Sequence, residues 1–292
     1  MKAFDGVGKM QVRSLGGVDF ERIYKAFSDA YGDYEVRLDD RGLLNMLQRR
    51  GYDASLSFAA FEGEDIVSFV LNGTGTFNGV GAAYDIGTGT VKRYRGQGLA
   101  ARIFGQAIPR LKVAGLKHYL LEVLKHNTSA IALYRKVGFE VTREFNYYVW
   151  NGRVEDDASG GTGSICSVRE MEMAGPLDVS DCWDFHPSWQ NSFESIHRAA
   201  ADLVCLGAYK HGKRLGYCVL DPHTGDIAQI AVEKGSRRLG VGSLLLREAQ
   251  RLSKAPNTKL INVDAGCGSL TAFLASKNIK AAGGQLEMMK TI

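Results

Sequence analysis

Apolar residues recur at helical spacing in Phe20, Ile23, Tyr24 and Phe27, which predicts an amphipathic helix over Phe20–Tyr31. Asp39 is placed to cap a second helix running through Arg49. Apolar, β-favouring runs then predict strands at Leu56–Phe61, Ile66–Asn72 and about Gly81–Val91, the first two joined as a hairpin by Glu62-Gly63-Glu64-Asp65. Leu99, Ile103, Phe104, Ala107 and Leu111 stripe one face of the next helix, in which Pro109 removes a backbone bond and predicts a kink. A strand ending at Glu122 or Val123 follows, then a polar break at Lys125–Thr128 and a short helix through Tyr134 to Val137. Gly138 stops that helix before another β-rich segment that reaches Trp150.

Residues 151–163, in the run NGRVEDDASGGTGS, offer almost nothing to bury and read as a linker between domains 1–150 and 164–292. Beyond it the pattern returns: strands at Leu203–Tyr209, Arg214–Leu220 and Asp226–Val232 precede a helix striped by Leu244, Leu245, Ala249 and Leu252. Arg237-x-x-Gly240-x-Gly242 repeats Arg93-x-x-Gly96-x-Gly98 at a distance of 144 positions, so the chain reads as a tandem duplication.

The segment Val91–Ala101, VKRYRGQGLAA, places a glycine-rich turn between a strand and a helix. Without side chains, Gly96 and Gly98 let backbone N–H groups approach a ligand, and the helix start directs its positive dipole end at the same point, which suits a pyrophosphate. Lys92, Arg93 and Arg95 add positive charge beside it, as exposed surface bases also commonly do.

Arg93-x-x-Gly96-x-Gly98, followed by Asn127-x-x-Ala130 and Leu133-Tyr134-x-x-x-Gly138-Phe139, resembles the GCN5-related N-acetyltransferase (GNAT) superfamily. Over about thirty residues, Leu121-Glu122-Val123 and Ala130 to Tyr134 look most like the amino-terminal acetyltransferases that modify ribosomal-protein alanine. The resemblance implies an α/β (α+β) fold: two tandem GNAT-like domains, each a mixed, mostly antiparallel twisted sheet flanked by helices. It also implies acetyl-CoA as cosubstrate, its pyrophosphate on Arg95, Gly96, Gln97, Gly98, Leu99 and Ala100, with Arg93 nearby. The backbone of Thr90 and Val91 would pair with the pantetheine amides, and Asn127 either meets that arm or caps the short helix.

By the same resemblance Glu122 serves as general base and Tyr134 as general acid in direct attack of an amine on the thioester. The chain's first cysteine is Cys166, so no thiol nucleophile lies in the first motif region. Tyr84 and Asp85, with Tyr31, Asp33, Tyr34 and Glu35 from the link between the first two helices, are placed to form an acidic, aromatic pocket for a cationic amine, or else a capped loop packed on the sheet. Trp183, Phe185, His186 and Trp189 form a further aromatic cluster, read as an interdomain or helix–sheet contact. Aligning Phe273–Ile279 with Leu133–Phe139 sets Leu274 opposite Tyr134, so the second copy lacks the acid and reads as a degenerate domain.

Composition narrows the alternatives. The 292 residues, 45% hydrophobic and 23% charged, suit a globular protein of two such folds. No apolar run or leader-like N-terminus stands out, so a cytoplasmic location is expected. Five cysteines without C-x-x-C spacing, and histidines without metal-ligand spacing, imply reduced thiols and no metal. A net charge of +4 does not point to nucleic acid. The expected acceptor is a small-molecule amine or a peptide N-terminus. Two rivals stand: a protein that binds acyl-CoA without turning it over, and a dinucleotide-dependent oxidoreductase, since Gly96-x-Gly98-x-x-Ala101 also fits a nucleotide fingerprint.

Overall fold

The computed structural model describes residues 10–33, 37–154, 166–172 and 179–292. It divides into two units, one of Met1–Thr142 with Glu287–Ile292 and one of Arg143–Leu286. The division falls within a strand, β6 (Glu140–Asn151), rather than at its end. Most of the sequence-assigned linker lies outside the described residues.

The first unit runs β1 (Gln11–Ser14), α1 (Phe20–Ala30), α2 (Asp40–Arg50), β2 (Phe58–Glu62), β3 (Asp65–Phe77), β4 (Val80–Thr90), α3 (Leu99–Val113), β5 (His118–Leu124) and α4 (Thr128–Lys136). α1 forms because Ile23, Ala26, Phe27 and Ala30 fall on one face and are buried. Asp39 starts α2 by accepting from the Gly42 N–H at 2.7 Å, and Gly51, at φ 77°, ends it in the left-handed conformation. β1 to β4 pair antiparallel in chain order. The fold thereby excludes the doubly wound parallel sheet of a dinucleotide-binding enzyme. α3 buries Ile103, Phe104, Ala107 and Leu111 completely, and the Phe104 ring lies 5.9 to 6.0 Å from those of Tyr119, Tyr134 and Phe139. Truncating Phe104 to alanine would open a void at this junction, a loss of about 3–5 kcal/mol.

β4 and β5 form the parallel pair of this unit, and they touch only briefly. Pairing covers Ala82–Tyr84 against His118–Leu120, after which β4 runs on to Thr90 and β5 to Leu124 without a partner rung. A bulge at Ile86, between the pairs Asn72–Asp85 and Leu71–Gly87, bends β4 where the two strands part. The far side of β5 is covered by the C-terminal part of β12 (Ala281–Thr291), where the Ile292 N–H reaches the Lys117 carbonyl at 2.9 Å.

The second unit holds β7 (Ser167–Glu170), α5 (Phe193–Arg198), β8 (Val204–Lys210), β9 (Lys213–Leu220), β10 (Asp226–Val232), α6 (Val241–Leu252), β11 (Asn257–Asp264) and α7 (Gly268–Ser276). Its strand order is β6-β11-β10-β9-β8-β7. Again one parallel contact, Asp226–Ile227 against Lys259–Leu260, ends early, beside a bulge at Ala228. Trp189 is buried, and Trp183 stacks on Phe193 at 5.9 Å and donates its indole N–H to Tyr217 at 2.7 Å, so this aromatic cluster packs on the second unit's own sheet. All five cysteines are free thiols. No helix among the described residues is long and apolar enough to cross a membrane.

Candidate active site

The glycine turn of the first unit consists of a 3-10 turn at Lys92–Tyr94, an extended Arg95, and Gly96 and Gly98 at φ 77° and 72°, with Gly98 capping α3. A Cβ on either glycine would meet nothing within 4 Å, so the backbone borders open space. Gly89, by contrast, owes its identity to packing: its missing Cβ is where the Phe69 ring sits. Leu99 is buried, which leaves only its backbone to face a ligand, while Arg93 and Gln97 are exposed and Ala100 half-buried.

Arg95 does not reach for phosphate. Its guanidinium donates to the carbonyls of Thr90 at 3.1 Å and Ala30 at 2.8 Å and pairs with Asp33 at 3.0 Å, tying the end of α1 to the end of β4. Hydrogen bonding from Arg95 and the charge of Lys92 hold the Asp33 carboxyl below its ordinary pKa. The Val91 backbone is likewise committed, its N–H to Val67 at 3.0 Å and its carbonyl to the Tyr94 N–H at 2.8 Å. Of the sequence-assigned pantetheine contacts, the Thr90 and Val91 carbonyls each accept one bond within the fold, and the Val91 N–H is taken up by Val67. Asn127 caps α4, its Oδ1 accepting from the Ala130 N–H at 3.2 Å.

Two proton-carrying pairs meet where β4 and β5 separate. On one face the hydroxyl of buried Tyr84 donates to Glu122, which lies on β5 just past the last rung. Burial first, and the Glu122 charge second, push the Tyr84 phenol well above its ordinary pKa. The next residue on the strand, Asp85, points to the opposite face. There Thr88 Oγ1 donates to Asp85 Oδ2 at 2.7 Å, and the Tyr134 phenol lies beside the same carboxyl. Burial pushes Asp85 up to about 6, against the stabilising hydrogen bonds of Thr88 and Tyr134. Burial also raises Tyr134 well above its ordinary value, with the Asp85 charge adding to it, so the phenol keeps its proton at neutral pH. Tyr31 joins this group by donating to the Thr88 carbonyl at 2.9 Å. The structure therefore gathers Tyr31, Asp85 and Tyr134 through Thr88, and Tyr84 with Glu122; Tyr34 and Glu35 lie outside the described residues. Thr88, the hub of the first group, carries no sequence signal beyond its place near the bulge.

The second unit repeats this scaffold in a different register from the one its glycines suggest. Gly240 at φ 83° caps α6 as Gly98 caps α3, which makes the structural repeat 142 positions, and Arg238, at φ 63°, occupies the place of Gly96. Gly242 lies inside α6. Arg237 repeats the Arg95 clamp in full: Nε to the Val232 carbonyl at 3.1 Å, and the other nitrogens to the Cys182 carbonyl at 3.2 Å and to Asp184 at 3.0 Å. Matching the starts of α4 and α7 confirms Leu274 opposite Tyr134 and sets Asn262 opposite Glu122, while the matched bulges set Ile227 opposite Asp85. Glu122, Asp85 and Tyr134 thus have no titratable counterpart, while Tyr84 falls opposite Asp226, which pairs with Lys259. A cavity of about 550 Å³ nevertheless occupies the opening between β10 and β11, bounded by the start of α6 and by α7.

A sheet whose parallel middle strands part beside a glycine-capped helix N-terminus is the acyltransferase fold, here present twice, with the proton-carrying pairs in the first copy alone. The chain belongs to the acetyltransferase (GNAT) family, whose model matches residues 20–139 and 168–267. It is similar in fold to a tandem GNAT protein from the clavulanic acid biosynthesis pathway, at 11% identity and a TM-score of 0.73 over 97% of this chain and 98% of that one. A GCN5-related N-acetyltransferase from Sphaerobacter thermophilus aligns at 13% identity and TM-score 0.69, covering 97% of this chain and 95% of the other. Another from Anabaena variabilis aligns at 11% and 0.62, over 97% and 73%. No curated protein matches the sequence.

Proposed function

We propose that the protein is an N-acetyltransferase whose first unit transfers the acetyl group of acetyl-CoA to a primary amine, a small molecule or a peptide N-terminus, by direct attack. The observation that carries this reading is the arrangement of adjacent Tyr84 and Asp85, which bring Glu122 and Tyr134 to the two faces of the same strand opening. A thioester laid between the separated strands has a carboxylate on one side and a protonated phenol on the other. Glu122 takes the ammonium proton, the freed nitrogen lone pair forms the new C–N bond at the thioester carbon, and the tetrahedral centre collapses by breaking the C–S bond. Tyr134 delivers its proton to the departing thiolate and is reprotonated by the second proton, which the nitrogen sheds as the amide forms. The open space over Gly96 and Gly98 at the start of α3 accommodates the pyrophosphate.

The test is CoA release from acetyl-CoA across a panel of amines, with mass spectrometry of the acetylated product. Transfer to at least one amine, lost in Tyr134→Phe, supports the reading. Binding of acetyl-CoA with no transfer to any amine would favour the second reading, an acyl-CoA binder without turnover, which the second unit's cavity supports because Glu122, Asp85 and Tyr134 have no titratable counterpart there.

A further inference from the structure

Asp85 is a carboxyl buried without a counter-ion. It is 5% exposed, and among the described residues no cation pairs with it. Arg50, whose charge reaches it from the end of α2, donates instead to the Ile86 carbonyl at 3.1 Å. The two carboxyl oxygens are unequal. Oδ2 accepts from Thr88 Oγ1 at 2.7 Å, whereas Oδ1 is buried with no hydrogen-bond partner among the described residues. A carboxylate removed from both water and counter-ion is driven toward its neutral form. In that form the acid proton belongs on Oδ1, because Oδ2 already accepts a bond, and a buried O–H needs an acceptor.

The surroundings identify that acceptor. From α3 comes only the Phe104 ring, edge-on to Tyr134 at 6.0 Å. Tyr119 of β5 donates to Asn72 Oδ1 of β3 at 2.5 Å, and Tyr31 at the end of α1 donates to the Thr88 carbonyl at 2.9 Å. Tyr84 and Glu122 pair on the other face of the sheet. The side chains that bear directly on the carboxyl are therefore Thr88, a donor to Oδ2, and Tyr134 on α4. A phenol holds one proton and aims it one way. Neutral Asp85 donates to the phenol oxygen and leaves the phenol O–H free to point into the strand opening, where a thioester sulfur would lie. Ionised Asp85 draws that O–H to itself in a charge-assisted bond, roughly twice as strong as a neutral one. Its charge also opposes the phenolate that proton donation creates.

We propose that Asp85 is a positioning residue that aims the proton of Tyr134: neutral, it turns the phenol O–H toward the thioester, and ionised, it withdraws that O–H. Thr88 holds the carboxyl in place for both states. This role rests on the proton-donor assignment of Tyr134 under the proposed function and makes the donor's readiness depend on a second, buried acid. It sets Asp85 on the leaving-group side of the reaction rather than in the amine pocket that its sequence position suggests.

Asparagine reproduces the neutral form, since its Nδ2 donates to the phenol while its Oδ1 accepts from Thr88. Carbon-13 NMR of the full chain labelled at the tyrosine ring Cζ reads the phenol without any substrate, the Tyr134 resonance being assigned by its loss in Tyr134→Phe. The expected result is a shift of this resonance with a midpoint near pH 6 in the parent, and a flat response in Asp85→Asn. If that variant folds poorly, Thr88→Val serves: loss of a bond that favours the carboxylate should move the midpoint to higher pH. On an accepted amine, the ratio of kcat in Asp85→Asn to kcat in the parent should rise about tenfold between pH 5 and 7, following the parent's falling neutral fraction. A resonance that does not titrate, that titrates equally in Asp85→Asn, or whose midpoint ignores Thr88→Val overturns the proposal, and so does a kcat ratio constant with pH. A resonance that titrates as expected in a protein that acetylates no amine upholds the coupling of the two groups and refutes only the proposed function.

Discussion

Tyr84 donates its hydroxyl to Glu122 across the point where β4 and β5 stop pairing. The last rung joins Tyr84 to Leu120, so the bond reaches two residues past it on the same face and fixes a carboxylate at the edge of the opening. Removing only this hydroxyl, in Tyr84→Phe, should leave the fold intact and loosen the orientation of Glu122. The expected outcome is a fall in kcat of about tenfold with little change in the KM for acetyl-CoA. An unchanged kcat would mean that the bond serves packing alone.

The proton-transfer roles are tested on the accepted amine. Tyr134→Phe should lower kcat by about 10²-fold or more while acetyl-CoA affinity holds, the scale expected for loss of a positioned donor. Glu122→Gln should show its largest loss at low pH, where the amine is most fully protonated. Near-native kcat for both across pH 6 to 9 would leave positioning as the whole of catalysis.

Gly96 and Gly98 separate ligand approach from stability. Both sit at positive φ and both face open space, so a valine clashes with nothing but is strained by roughly 1–3 kcal/mol. Gly98→Val should abolish acetyl-CoA binding to the first unit in calorimetry while the thermal transition stays cooperative and falls by several degrees. Retained affinity would place the pyrophosphate elsewhere.

Arg95 should behave in the opposite way. Its bonds to the Thr90 and Ala30 carbonyls are internal, so Arg95→Ala is expected to cost about 1–2 kcal/mol of stability and to change acetyl-CoA affinity less than threefold. Denaturant melts and calorimetry on the same sample decide between the two roles.

Sequence periodicity reaches far into this fold. Ile23 and Phe27 betray α1, and Asp226–Val232 forms β10 with the bounds that its apolar run predicts, because one face of each element must be apolar to be buried. Arg238 escapes such reasoning. A glycine pattern cannot anticipate an arginine in the left-handed region, so aligning the two turns on their glycines sets the repeat two positions out of register. Arg95 is similar: a base beside a glycine turn suggests phosphate, and only the position of Ala30 and Asp33 in space assigns it to the fold. The second unit's cavity draws on residues from Cys182 to Lys277, too dispersed for any motif to collect.

Asp85 predicts a pH signature. Its pKa is pushed up to about 6 in the folded protein by burial, from an ordinary value of 3.8, so the folded state binds the proton more tightly than the unfolded chain. The contribution of this group to stability is therefore fully present below about pH 4 and is lost as pH rises through 6, by roughly 3 kcal/mol. Asp85→Asn should remove that component: its stability relative to the parent should increase between pH 4 and 7. A difference that stays constant over this interval would show that Asp85 titrates normally.

Residues 287–292 belong to the first unit and residues 143–286 to the second, so the first unit depends on chain far from the rest of it in sequence. Neither fragment 1–150 nor fragment 164–292 contains a whole sheet, and deleting 287–292 alone should lower the melting temperature and promote aggregation, as light scattering would show. During synthesis the first unit must wait, with the outer edge of β5 uncovered, while the ribosome makes the entire second unit, roughly seven to thirty seconds at ordinary elongation rates. An open strand edge is a template for pairing with another chain throughout that interval. The first unit is thus the last to be completed, although its residues are the first to be made.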